Sequence, residues 1–265
     1  MNNSLKNKWA LILGASSGFG EAVSIELANA GMNIIGIHLD RRSTMPKVEE
    51  ITDKIKNAGS KAQFFNINAS DQEKRSETLD KVQDLLNEDN NPSGIKVLLH
   101  SLAFGTLKPY ISPTNMVTDK NMDMTLDVMA HSLVYWTQEL VNRKLMIDGG
   151  RVFALTSAGG HRVWPTYGPV SASKAALESH IRQLAVELAS YKITANAIQA
   201  GVTETPALKK IPGNEDIVKH ALEVNPSGRL TSTDDVAKAI LALSVDETRW
   251  LTGNVIKVDG GEDLI

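Results

Sequence analysis

The chain contains no cysteine. Disulfides, cysteine-ligated zinc and a thiol nucleophile are therefore excluded, and the composition suits a reducing compartment. A dominant charge is missing as well: 28 lysines and arginines stand against 31 aspartates and glutamates, a formal balance of −3. So small a charge gives no general affinity for nucleic acid or for an anionic membrane. Nor is there an apolar run of ~20 residues that would cross a bilayer. The first residues, "MNNSLKNKWALILGASS", hold only a short apolar run ended by glycine, without the h-region and cleavage site of a signal peptide. The histidines show no metal-ligand spacing. These absences predict a soluble, cytoplasmic protein that works without metal, nucleic acid or membrane.

What the sequence does hold is one repeated pattern. Its 265 residues suffice for one large core. Short apolar runs, "WALIL", "NIIGIHL", "AQFFNI", "IKVLLH", "RVFALTS", "ITANAIQ" and "NVIKVDG", alternate with segments of helical spacing such as Ala22, Ile25, Leu27 and Ala28, or Leu177, Ile181, Leu184 and Leu188. Strand runs separated by helices imply βαβ units, hence an α/β doubly wound parallel sheet of about seven strands with helices on both faces. Residues 1–265 are read as a single domain. The longest excursion, 203–229, falls between the sixth and seventh runs and is read as a substrate-binding lid.

After the first run comes "GASSGFG", with Gly14, Gly18 and Gly20 at G-x-x-x-G-x-G and Ser16, Ser17 and Phe19 between them. Glycine permits close approach of the backbone to a pyrophosphate, and the free N–H groups of a helix start favour the anion. An ordinary strand–helix turn is the alternative; the strand before and the helix after argue against it. The spacing resembles that of the short-chain dehydrogenase/reductase family, T-G-x-x-x-G-x-G, with Leu13 in place of the threonine. The resemblance runs from here to "LTGNVIKVDGG". It implies a Rossmann-type domain, a nicotinamide cofactor and a homotetramer. At the end of the second run, "HLDRRS", His38 takes the family's acidic position. Asp40 argues for NADH; Arg41 and Arg42 argue for NADPH, which we favour. A solvated charged loop is the alternative. Asn68 and Ala69 match the family's adenine-contacting element, although Asn68 equally suits a helix cap.

"YGPVSASK" sets Tyr167 seven positions before Lys174. Seven helical residues differ by about 20° and roughly 10 Å, so both side chains can aim at one site. Pro169 favours a first helical turn, which puts Tyr167 on the approach to the helix. The commoner family spacing, Y-x-x-x-K, would need a tyrosine at Val170. The displaced tyrosine is similar to that of the enoyl-acyl carrier protein reductases. "HSLAFG", His100–Gly105, and "NAIQAGVTET" resemble that branch too, and Asp127 is read at the place where carbonyl-reducing members carry a catalytic asparagine. The plain glycine loop, Ser157 and the 205–230 stretch are similar to the NADPH-dependent type III enzymes.

This resemblance implies reduction of a trans-2-enoyl thioester carried on acyl carrier protein or coenzyme A. Tyr167 would donate to the thioester oxygen, Lys174 would hold the nicotinamide ribose and make the phenol more acidic, and Ser157 would support them. Ser101, Leu102, Ala103, Gly201, Val202, Thr203 and Thr205 would contact the cofactor. Phe104, Tyr110, His161, Trp164 and Leu208 would contact substrate, although Tyr110, His161 and Trp164 suit a rim equally. His100 is read as a positioning residue in a cofactor-side turn rather than an acid–base group. Lys209, Lys210, Lys219 and Arg229 would form a basic rim for an acidic carrier, diluted by neighbouring acids. Two other readings stand: a carbonyl or alcohol dehydrogenase of the same family, and a non-catalytic nucleotide-binding scaffold.

Overall fold

The computed structural model describes residues 4–88 and 94–265. Seven strands, β1 (Trp9–Leu13), β2 (Asn33–His38), β3 (Ala62–Asn66), β4 (Ile95–His100), β5 (Met146–Ser157), β6 (Thr194–Ala200) and β7 (Val255–Val258), form one parallel sheet in the order β3-β2-β1-β4-β5-β6-β7. All seven apolar runs become strands. β5 alone starts earlier than its run, because Met146 already pairs with Ile95 across a register shift ahead of Arg151. Gly149 adopts φ +76°, yet the strand continues through it.

Eight helices follow: α1 (Gly18–Asn29), α2 (Met45–Asn57), α3 (Gln72–Glu88), α4 (Asp119–Leu126), α5 (Ser132–Asn142), α6 (Gly168–Glu187), α7 (Asn214–Val224) and α8 (Thr233–Ser244). The period of two along each strand divides the core. Trp9, Leu11 and Leu13 face Leu79 and Val82 of α3, Leu133 and Trp136 of α5, and Leu177 and Ile181 of α6. Ala10 and Ile12 face Val23 and Leu27 of α1, Ile51 and Ile55 of α2, and Val236 and Ile240 of α8. Both faces are covered, which is why the strand runs are apolar throughout.

The strand order reverses between β1 and β4, and such a switch point opens a crevice at the C-terminal strand ends. A π-helical turn, Asp127–His131, joins α4 to α5 and shifts the helical register by one residue. Among the described residues, no helix is long and apolar enough to cross a membrane.

Candidate active site

The crevice is a cavity of about 1210 Å³, bounded by the β1–α1 loop, the ends of β2, β4, β5 and β6, and the segment carrying α7. Its first wall is the glycine loop. Gly14 adopts φ +89°, and a Cβ there would lie 2.5 Å from the Ser101 carbonyl oxygen, so only glycine lets β1 and β4 exits meet. A Cβ on Gly20 would strike the Gly14 carbonyl. Gly20 therefore packs α1 beneath the loop and does not line the cavity, contrary to its expected role as a direct contact.

Gly18, at φ +57°, lies against Thr205, whose Cγ2 would stand 3.5 Å from a Cβ there, and both residues line the cavity. The cap residue of α1, Ser17, is extended and its side chain caps nothing, whereas α4 and α8 both start with reciprocal capping boxes. The uncapped N–H groups of α1 open on the cavity, and the glycine cradle leaves room above them. Both features fit the pyrophosphate of a dinucleotide.

At the exit of β2, His38 donates through Nδ1 to Asp40 at 3.0 Å. Burial lowers the pKa of His38 against the pull of Asp40, so the ring is neutral at pH 7. Burial pushes the Asp40 carboxyl up, but the hydroxyls of Ser16 and Thr44 together with His38 outweigh it and hold the group below its ordinary value. Asn66, which sequence reading passed over, clamps the turn by accepting from Asp40 N and donating to Asp40 O. Arg41 lines the cavity; Arg42 does not. Asn68 lines it too, with its Oδ1 engaged by Ser70 in a local turn, and Ala69 is held through its carbonyl by Trp136 Nε1 at 2.8 Å.

The opposite wall carries the phenol. Thr166 adopts φ +64°, uncommon for a β-branched residue, and Tyr167 follows as the cap of α6. Pro169 sits in the first turn, as its missing N–H allows. The Tyr167 ring lies against Gly159, where a Cβ would come within 2.5 Å of Cε1 and 3.2 Å of Ser157 Oγ. Gly159 is therefore what admits the ring beside the serine, and sequence reading missed it. Burial raises the Tyr167 pKa, with the Ser157 hydroxyl opposing. Ser157 Oγ is buried without a hydrogen-bond partner of good geometry.

Lys174 lies within α6, fully buried, with Nζ donating to the Leu155 carbonyl at 2.6 Å. Burial brings its pKa down to about 8, against the pull of Glu178. The expectation that it acidifies the phenol is corrected: the Tyr167 pKa moves up, and the lysine is not among the groups that shift it. Its charge acts on His100 instead. That ring is fully buried, its pKa lowered to about 3 by burial first and Lys174 second, and it bonds Ser132 through Nε2. His100 thus stands beneath the cavity rather than in it.

Of the expected substrate contacts, Phe104, Trp164, Tyr167 and Leu208 line the cavity. Tyr110 does not, because its ring packs on Gly168 outside. His161 does not line the cavity, and its Nε2 hydrogen-bonds the Asp263 carboxylate. Asp127, in the π turn, lines a separate recess beside Arg75 and Tyr135, and Met124, Val128 and Met129 face the cavity. Arg229 is bound through both terminal nitrogens by Asp235, which removes it from any free basic rim. The segment 203–229 contributes Ile217, Ala221 and Val224, spaced by four and three on one face of α7; that periodicity was legible and unused.

Residues 14–262 match the family model described as enoyl-(acyl carrier protein) reductase. Similar proteins include the NADH enoyl-[acyl-carrier-protein] reductase FabI of Nostoc sp., 28% identical over 98% of both chains. The 3-oxoacyl-[acyl-carrier-protein] reductase FabG of Thermotoga maritima is 26% identical over 97% of this chain and 98% of that one. The crystal structure of enoyl-[acyl-carrier-protein] reductase (NADH) from Aquifex aeolicus matches with a TM-score of 0.83, 26% identity and 98% coverage of both chains.

Proposed function

The chain belongs to the enoyl-(acyl carrier protein) reductase family of short-chain dehydrogenase/reductases, and from that premise we propose that it reduces the C2–C3 double bond of trans-2-enoyl thioesters with a nicotinamide dinucleotide. One observation carries this reading: a buried, protonated phenol stands beside an unpartnered serine hydroxyl on the wall of a cavity that also takes in an uncapped helix start. When bound, the reduced nicotinamide supplies the hydride for C3. The protein must then answer the charge that grows on the thioester oxygen. Tyr167 does so as a hydrogen-bond donor, and its raised pKa keeps the proton in place at pH 7. Ser157 offers a second hydroxyl to the same atom. Lys174, protonated below pH about 8, holds the ribose hydroxyls. Val170 is buried behind Gly105 and does not line the cavity, so no donor stands where the commoner carbonyl-reducing spacing puts one.

NADPH is the proposed cofactor. Arg41 faces the cavity, while His38 Nδ1 already engages the neighbouring Asp40 carboxylate at 3.0 Å. Residues 203–229 form the lid, the thioester is carried on acyl carrier protein or coenzyme A, and the chain acts as a cytoplasmic homotetramer. Following absorbance at 340 nm with each cofactor separates the readings. Crotonyl and longer enoyl thioesters should oxidise NADPH, and acetoacetyl thioester should not. Turnover of acetoacetyl thioester alone would assign the chain to carbonyl reduction, and turnover of neither would support a nucleotide-binding scaffold.

A further inference from the structure

The C-terminal segment takes no part in the chemistry described above, yet it touches three walls of the cavity. Asp263 is the centre of this arrangement. Its side chain is only 4% exposed and gathers groups from three elements. His161 Nε2 at 3.1 Å and Arg162 Nε at 2.9 Å come from the loop after β5; Gln199 Nε2 at 2.8 Å comes from β6; Lys257 Nζ at 2.7 Å comes from β7. Burial alone would push this carboxyl up, but the donors of Lys257, Gln199 and His161 outweigh it and hold the group well below the carboxylate range. Asp263 is thus ionised at pH 7. A second bond from the same loop, Arg162 Nη2 to the Ile265 carbonyl at 2.9 Å, doubles the attachment.

The adjacent residue holds a different wall. Both carboxylate oxygens of Glu262 accept the Val202 N–H at 3.1 Å, at the exit of β6. Glu262 also stands over Gly201, where a Cβ would come within 3.0 Å of its Oε2. The third wall is the lid: Asn225, just past α7, donates to the Asp259 carbonyl at 2.9 Å. The turn itself is preset by Asp259, whose carboxylate accepts from the backbone of Gly261 and Asp263. Residues 259–265 therefore form one rigid piece tied to the 158–166 loop, the 201–203 exit and the lid.

We propose that Asp263 is a positioning residue for the active site: by clasping His161 and Arg162 to the sheet it fixes the loop that brings Trp164 to the cavity and delivers Tyr167 to the start of α6. The effect on catalysis rests on the enoyl reductase reading, whereas the clasp itself does not. The loop is short and carries Thr166 in a sparsely populated conformation, so its placement must be enforced from outside. Charge-assisted bonds to a buried carboxylate are the strongest restraint that it has.

The test is hydrogen exchange on the full chain, with Asp263→Asn compared with the native protein. The amides of His161, Arg162 and Tyr167, bonded to Ala158 O and Trp164 O, report the loop. They should exchange about tenfold faster or more, the size expected for loss of charge-assisted bonds, while the β4 amides stay protected. Arg162→Gln, which removes one arm of the clasp, should give the same local pattern if Asp263→Asn proves too unstable to study. Steady-state kinetics on the same variants should show a raised KM for enoyl thioester with the nucleotide Kd unchanged. Unaltered exchange at 158–167 would overturn the proposal, and so would a uniform rise across the sheet, which would make Asp263 a general stability residue. Faster local exchange in a chain that turns over no enoyl thioester would keep the clasp and remove the substrate assignment.

Discussion

Burial moves a phenol and an ammonium in opposite directions, and the two residues central to the site show both effects. Tyr167 is raised and remains a donor across the working pH range. Lys174 is brought down to about 8 and titrates within it. The unfolded chain keeps its lysine protonated up to about 10.4. Between these two values folding releases a proton, so the stability contribution of Lys174 rises with pH as the cost of a buried ammonium disappears. Binding through the proposed ribose contact would run the other way, because that contact would use the charged form. Nucleotide Kd, measured by titration between pH 6.5 and 9.5, should be flat at first and rise above pH about 8. Lys174→Met should weaken binding by about tenfold or more and abolish that inflection. A native Kd that stays constant to pH 9.5 would show that the lysine does not hold the ribose.

At the scale of elements, α1 and α7 show how little of a helix needs to be special. α1 serves through its uncapped start; α7 serves through three side chains on one face, Ile217, Ala221 and Val224. Ala221 is nearly inaccessible to solvent yet borders the cavity. Ala221→Phe should fill that end, raise KM for long enoyl thioesters by about tenfold, and leave the short crotonyl substrate and nucleotide Kd little changed. Equal losses for both chain lengths would place the acyl slot elsewhere. Elements were also where sequence reading succeeded most. The seven apolar runs and the glycine loop are local patterns, and each became the structure that its pattern dictates. What escaped depends on hydrogen-bond register and on contacts between distant segments. Nothing in "TLDVMAHS" marks the π turn or the separate recess that Asp127 lines. Tyr110 and His161 were drawn outward by Gly168 and Asp263, partners that no spacing rule connects to them.

Across the whole molecule, a sheet covered on both faces sets the reacting groups at one end. The strand order reverses between the paired strands β1 and β4, the uncapped start of α1 stands on one side of the cavity, and the β5–α6 loop with Tyr167 stands on the other. The ion pair of Lys96 with Asp246 and the buried Arg151 lie away from this cavity and take no part in it. The central claim is that the Tyr167 hydroxyl answers the charge growing on the thioester oxygen. Its most direct test is NADPH oxidation at 340 nm with crotonyl thioester, comparing the native chain with Tyr167→Phe. Loss of one such donor should lower kcat by about 10²–10³-fold while nucleotide Kd stays the same. Native turnover by Tyr167→Phe would contradict the account.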